Sequence, residues 1–260
     1  MSVSVNADDF GMSIEINDAI IEAFLKKYID TTTLMANMPA AEDAYAKAKK
    51  HGLLDKVGIH LNITAGVPLT EGIRNNPLIC DSKGEFNAAF YHNTKYRLYM
   101  DELTISEIRA EFDAQLKRFL DLGFFCMHVD SHHHVHTNIP VFKAIKQLSD
   151  KYDYDYIRLS RNLYHGGSFV NSVYKYFYNA SVKKSSRTSA DVFGSYRDYM
   201  TFFGLDPYSE ADRSLAMNED MKKYLCVKNV EIMVHPMFNE EGVLVDTDIP
   251  MSEERALRNE

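Results

Sequence analysis

Short apolar, β-branched runs alternate along this chain with longer segments whose apolar residues recur at helical spacing. That alternation is the signature of βα units around a mainly parallel sheet. The runs fall at 3–5, 31–35, 57–63, 124–129, 156–159 and 230–234. Helices are expected between them: 14–28 behind an N-capping Ser13, 40–51 stopped at Gly52, 103–122 closed by Gly123, and 139–152 with Pro140 in its first turn. The 260 residues contain no internal repeat and no Pro/Ser-rich linker. The pattern therefore predicts one α/β domain over 1–260, and a (β/α) barrel of roughly 250 residues fits it. Two segments, 68–98 and 164–208, are polar and rich in Tyr, Asn, Gly or Ser, and read as long loops.

Charge and cysteine content narrow the function class. With 29 Lys+Arg against 37 Asp+Glu, the net charge is −8. No cationic surplus exists to neutralise phosphates, which argues against nucleic acid as a partner. The densest basic stretch, Lys183, Lys184 and Arg187, reads as a solvated helix end. No apolar run approaches the roughly 18 residues of a membrane span, so no membrane partner is expected. The first residues lack the basic and apolar regions of a secretory signal. Cys80, Cys126 and Cys226 are odd in number and form no CxxC pair, as in a reduced, cytoplasmic protein. A homodimer is one assembly open to such a chain.

The informative polar residues stand at the C-terminal ends of the expected strands, where α/β barrels build their active sites. Asp8-Asp9 ends the first run. Adjacent acids before a helix also serve as simple charge complements to its dipole. Adjacent side chains of an extended segment point to opposite sides, but at a strand's end both can splay toward one site, one as a ligand and one as a base. His60 sits in an apolar run and alternates with Asn62 and Thr64, so one side of that run is polar, as in a strand lining a cavity. A lone strand histidine is also found as a satisfied core residue. Five of the ten histidines fall within 128–136, in the pattern His128-Val129-Asp130-Ser131-His132-His133-His134-Val135-His136. Imidazole is the commonest metal ligand, and its second nitrogen needs an acceptor such as Asp130. Arg158 and the pair His235-Pro236 end two further runs.

These segments resemble a known family. Asn6-Ala7-Asp8-Asp9-Phe10-Gly11-Met12-Ser13, Gly58-Ile59-His60-Leu61-Asn62-Ile63-Thr64, the histidine cluster and Ile232-Met233-Val234-His235-Pro236 look like the motifs of the YdjC-like carbohydrate deacetylases, which include the ChbG-type chitooligosaccharide deacetylases. They occur in the family's order and spacing from residue 1 to about residue 250. The resemblance implies a distorted (β/α) barrel of the polysaccharide-deacetylase type, one divalent metal ion, and hydrolysis of the N-acetyl group of a small amino-sugar oligosaccharide. By motif, it implies Asp9, His60 and His132 as metal ligands, Asp8 as general base and His235 as general acid. It also implies Arg158 as a catalytic arginine, with Asn62, Thr64, His134 and His136 toward the substrate. One carboxylate and two imidazoles leave open positions on the ion, a catalytic rather than a structural layout. This donor set suits Zn, Mn, Fe or Co better than Mg, whereas family members are commonly described with Mg; both stand. Two departures are visible. Met237 and Phe238 follow the His-Pro pair where family members usually have Gly, and most members continue with a further helix and strand past the position of Glu260.

Rival readings are another metal hydrolase, such as a phosphoesterase or cyclic-amide hydrolase, and a catalytically silent sugar-binding relative. A phosphoesterase needs a phosphate-gripping basic cluster, and only Arg158 and Arg161 qualify. Asp8 and His235 argue for activity over silence. The tyrosines of the long loops offer faces for the apolar side of a pyranose.

Overall fold

The computed structural model describes residues 2–125, 128–154, 156–159, 169–185, 192–195 and 229–247, together with Tyr208 and Ala211. In chain order its elements are β1 (Ser2–Phe10), α1 (Ile14–Leu25), β2 (Thr31–Leu34), α2 (Ala41–Lys50), β3 (Val57–Leu61), α3 (Glu71–Arg74), α4 (Glu102–Leu122), β4 (His128–Ser131), α5 (Ile139–Tyr152), β5 (Tyr156–Ile157), α6 (Phe169–Ser185), β6 (Val192–Ser195), β7 (Asn229–Val234), β8 (Pro236–Phe238) and β9 (Leu244–Asp246). Seven strands form one parallel sheet in the order β5-β4-β3-β2-β1-β7-β6, and β8 and β9 form an antiparallel hairpin.

The sheet is a distorted barrel, and one contact proves its curl. β5 and β7 lie five strand positions apart, about 24 Å in a flat sheet. Yet Arg158, the residue after β5, places Nε 2.7 Å from Glu231 Oε1 of β7. Only a sheet rolled on itself brings those two side chains together.

Strand parity sorts the barrel into two environments. Val5, Ala7, Leu34, Ile59, Leu61, Val129, Val230, Ile232 and Val234 are buried in the apolar core shared with the helices. Residues of opposite parity, Asn6, Asp8, Thr33, His60, Asp130 and Glu231, are buried as well, but they bond to one another or to Arg158 across the strands. The interior of a (β/α) barrel is usually filled by layers of branched apolar side chains. This one holds a hydrogen-bonded ionic network instead.

Local sequence sets the element ends. Ser13 caps α1, its Oγ accepting from Ile16 N (3.2 Å), and Asp101 caps α4 by accepting from Thr104 N (2.8 Å). Gly11 adopts a φ of +90°, and a Cβ there would lie 2.9 Å from Leu34 Cδ1, so the turn from β1 into α1 needs glycine.

Several expectations require correction. The segment 164–208 is not a loop throughout, because it contains α6 and β6. Tyrosine hides the helical pattern by serving either face: Tyr178 packs edge-to-face on Phe142 at 5.4 Å, while Tyr176 and Phe177 are exposed. The segment 68–98 does hold a long connection, interrupted by α3 and two short 3₁₀ turns. α1 ends at Leu25 rather than Tyr28, since Lys27 turns left-handed at φ +58°. Phe124 and Phe125, at the head of the apolar run that predicts β4, are not part of a strand. Met237 and Phe238, in place of the usual glycine, form β8. Cys80 is buried; Cys126, Cys226, Arg161 and Arg187 lie outside the described residues. Among those described, no helix is long and apolar enough to cross a membrane.

β3 is buried along its whole length, and at Gly58 it passes so close to β4 that a Cβ would lie 2.6 Å from the His128 carbonyl oxygen and 2.8 Å from His128 Cβ. Gly58→Ala must push the two strands apart two residues from His60. Overpacking of this kind costs about 1–3 kcal/mol. Urea unfolding of the variant is expected to show that loss, and an unchanged midpoint would refute the close-approach argument.

Candidate metal centre

Asp8 and Asp9 reach one site because β1 is irregular there. The β1–β2 register runs Asn6↔Thr31 and Ala7↔Thr32, then slips to Phe10↔Leu34. One extra β1 residue is accommodated, and Asp9 takes a left-handed φ of +69°, a conformation that Asp tolerates better than most residues. The bulge cancels the alternation that would send adjacent side chains apart.

The histidine cluster uses the same device. His133 and His134 have φ of +51° and +53°, each at a cost of about 1–2 kcal/mol. The result is that His132, His133 and His134, consecutive in sequence, all line one cavity of about 390 Å³ with Asp8, Asp9, His60, Tyr91, Met233, His235 and Thr247. Backbone strain held in place by its surroundings is common at functional sites.

Asp9 sits at the centre of this cavity. Its Oδ1 accepts from His132 Nδ1 at 2.8 Å and lies 3.3 Å from His60 Nε2, and its Oδ2 lies 3.9 Å from His235 Nε2. The ligand atoms of Asp9, His60 and His132 all fall within 4.8 Å of one another. Ligands about 2.0–2.2 Å from one ion stand about 3–3.6 Å apart, so the set fits a shared divalent cation. Burial opposes ionisation of Asp9, but the hydrogen bonds from His132 and His60 outweigh it and hold the carboxyl well below its usual range.

His60 is oriented from behind. It is opposite Asp130 in the β3–β4 register, and its Nδ1 donates to Asp130 Oδ1 at 2.6 Å while Thr33 Oγ1 donates to Asp130 Oδ2 at 3.0 Å. This carboxylate–imidazole pair fixes the tautomer and turns Nε2 toward Asp9. Burial pushes the His60 imidazole down, yet Asp130 and Asp8 more than reverse that and raise it to about 10.

Asp8 is gripped by Arg158. Nη1 donates to Asp8 Oδ2 and Nη2 to Oδ1, both at 2.7 Å, and Asn6 Nδ2 adds a bond to Oδ1 at 2.8 Å. Burial raises the Asp8 pKa, and the guanidinium overcomes it to leave the group below its normal value. Arg158 also contacts Asp130 (2.6 Å) and Glu231 (2.7 Å). Two further carboxylate–histidine groupings, Asp8/His60/Asp130 and His128/Asp130/Glu231, are compact enough for a cation. The guanidinium already stands among their carboxylates, so the Asp9 group is the metal candidate.

The structure brings Asp8, Asp9, His60, His132, His134 and His235 together on the cavity, and not the other expected residues. Arg158 is fully buried and is not among the described residues that line the cavity; it reaches the site through its bonds to Asp8. Asn62 and Thr64 organise the turn after β3: Asn62 Oδ1 accepts from Thr64 N (2.9 Å) and Ala65 N (3.1 Å), and its Nδ2 donates to Ala65 O (2.7 Å). His136 is buried, sharing a 2.6 Å hydrogen bond with Ser131 Oγ. Polar residues near a strand end serve backbone satisfaction as readily as substrate. Met233 and Thr247 line the cavity without having been singled out, and of these only Met233 carries a signal, its shared parity with Glu231 and His235; His133, from the histidine cluster, and Tyr91, from the tyrosine-rich connection, line it as well.

Comparisons with known proteins place the chain among relatives. A family model described as YdjC-like protein matches residues 2–258. A Brevibacillus brevis protein named carbohydrate deacetylase is 31% identical over 94% of this chain and 84% of its own. One of the same name from Vibrio cholerae serotype O1 is 32% identical over 92% of this chain and 79% of its own. A Halalkalibacterium halodurans carbohydrate deacetylase is 38% identical over 59% of this chain. The chain spans 56–62% of the length of that relative and two others matched over similar stretches. The fold is shared with the crystal structure of an Enterococcus faecalis V583 protein provisionally described as a cellobiose-phosphate cleavage protein, with a TM-score of 0.66 and 24% identity over 92% of this chain and 82% of that one.

Two outcomes follow from the geometry. Replacing His60 or His132 with Ala should weaken binding of Zn(II) or Mn(II) at least tenfold by calorimetry; undiminished affinity in both variants would remove these residues from the ligand set. The second concerns stability without metal. Burial holds His134 down to about 4 and His136 well below its usual value. Their contribution is present above an unfolded value of about 6.5 and is lost as pH falls toward 4. His60 acts oppositely: its contribution is full below about 6.5 and is lost as pH rises through about 10. Chelator-treated protein should therefore show its highest urea midpoint near pH 6.5, with lower values at pH 4.5 and 9.5. Equal midpoints at all three would contradict the assignment.

Proposed function

The chain belongs to the YdjC-like family, and on that premise we propose that it is a metal-dependent hydrolase that removes the N-acetyl group of a short N-acetylated amino-sugar oligosaccharide. The observation that carries this reading is the convergence of Asp8, Asp9, His60, His132 and His235 on one cavity, in a family whose relatives are named carbohydrate deacetylase. Among the described residues, no Lys or Arg lines the cavity, which disfavours a phosphoester substrate.

In this reading Asp9, His60 and His132 hold one divalent ion, with Zn, Mn or Co favoured over Mg by the two imidazoles. The bound ion supplies Lewis acidity, making water more acidic and polarising the acetyl carbonyl. Asp8 is the general base. It stands ionised at neutral pH, its orientation fixed by Arg158 and Asn6, and it accepts a proton from the attacking water. His235 is the general acid and delivers a proton to the amide nitrogen, since an amine leaves only when protonated. The C–N bond breaks, a C–O bond forms at the acetyl carbon, and acetate and the free amine result. His134 faces the substrate.

Mass spectrometry of N,N′-diacetylchitobiose after incubation with metal-loaded protein tests the reading. Loss of an acetyl group with the glycosidic bond intact is expected, abolished by chelator and restored by added metal. Asp8→Asn should retain the metal and lose roughly two or more orders of magnitude in kcat. Glycosidic cleavage, or turnover of a phosphoester with no acetate from any N-acetylated sugar, would overturn it.

A further inference from the structure

A run of ring contacts leads away from the ligand set toward the long connection before α4. The His132 and His133 rings are 4.1 Å apart with planes tilted by 34°, and His133 stacks on Tyr91 at 5.5 Å and 22°. The partners come from segments distant in sequence. Tyr91 is carried on the 3₁₀ turn Ala88–His92, anchored by the buried Phe90 beside it. His133 reaches it through its left-handed backbone. In a regular strand, the side chain between His132 and His134 would point to the opposite face from theirs. The strained turn therefore has a specific consequence: it adds His133 to the cavity wall and faces it to Tyr91.

Neither ring's polar edge is engaged. Among the described residues, the Tyr91 hydroxyl and the His133 ring nitrogens make no hydrogen bond with protein, although both side chains line the cavity. His133 stands between His132 and Tyr91 in this run, so the pair offers the outer face of the Tyr91 ring, flanked by its O–H and by the His133 ring nitrogens. That combination matches a pyranose, which presents a C–H face and a rim of hydroxyls. Among the described residues, a phosphorylated or carboxylated group would find no Lys or Arg on this wall.

We propose that Tyr91 and His133 form a binding platform for the second sugar ring, the one next to the ring that carries the reacting acetamido group. The inference rests on the deacetylase reading above and adds length selectivity to it. Tyr91 stands two ring-to-ring steps beyond His132. The sugar whose amide is at Asp9 lies at the inner end, and the platform meets its neighbour. Recognition of that neighbour makes an oligosaccharide the better ligand over a single sugar.

The test is calorimetric binding of N,N′-diacetylchitobiose and of N-acetylglucosamine to chelator-treated protein. Wild type should bind the disaccharide in preference to the monosaccharide. Tyr91→Ala and His133→Ala should each reduce that preference at least tenfold. Tyr91→Phe, which keeps the ring and is a mild change for folding, should reduce it about threefold or less. In metal-loaded enzyme the loss should appear in KM rather than in kcat. Disaccharide affinity unchanged in Tyr91→Ala overturns the platform, as does a wild-type protein that binds neither sugar. Acetate release by wild-type enzyme is scored separately. If acetate is released and Tyr91→Ala is unaffected, the platform fails and the reaction stands. If the disaccharide binds through Tyr91 but yields no acetate, the platform stands and the reaction fails.

Discussion

One guanidinium holds this barrel and its chemistry together. Arg158 is fully buried and reaches Asp8 on β1, Asp130 on β4 and Glu231 on β7. Its planar fork makes the two parallel bonds to Asp8 that a lysine ammonium could not reproduce. Burying charges is costly unless they are paired and hydrogen-bonded, and here every contact is 2.7 Å or shorter. Removing the arginine would leave three carboxylates buried without their counterion, a change that typically costs about 3–5 kcal/mol. The same contacts span the curl of the sheet, orient Asp8, and buttress the Asp130 that orients His60. Fold closure and site geometry are thus one interaction viewed from two sides.

Much of this was legible in strand parity. His60 stands in an apolar run and Asp130 two positions from His128. Period-two patterning of that kind is what a polar face on a buried strand produces, although Asn62 and Thr64, which continue the alternation in the sequence, fall in the turn after β3. The placement of acids and histidines at strand ends located the cavity for the same reason, because parallel strands deliver their C-terminal ends to one side. Asp130 was legible as an imidazole's partner, although it serves His60 across the strand pair rather than a histidine of its own tract.

What escaped the sequence depended on distance or on ambiguity of side-chain chemistry. Arg158 lies 150 residues from Asp8 and 73 from Glu231, and no local pattern announces that it faces inward as a hub. The bulge at Asp8 and Asp9 and the left-handed pair His133 and His134 are backbone events that no propensity encodes. Asn62, Thr64 and His136 carry groups equally suited to a substrate or to a neighbouring amide, and only the fold decides between them. Tyrosine had the same effect in α6, where one residue type serves both the buried and the exposed face.

The charge balance of the interior bears most directly on metal binding. Asp8, Asp9, Asp130 and Glu231 are all buried, and Arg158 is the one permanent cation that contacts them among the described residues. His60, raised to about 10 by the carboxylates around it, supplies a second positive charge while it keeps its proton. In the proposed function, a divalent ion would replace that proton and bring the site closer to neutrality. The decisive measurement is calorimetric titration of Zn(II) into chelator-stripped protein at pH 7.5, in two buffers of different ionisation enthalpy. The account predicts one ion per chain with release of about one proton. Binding without proton release, or a stoichiometry of two ions per chain, would contradict it.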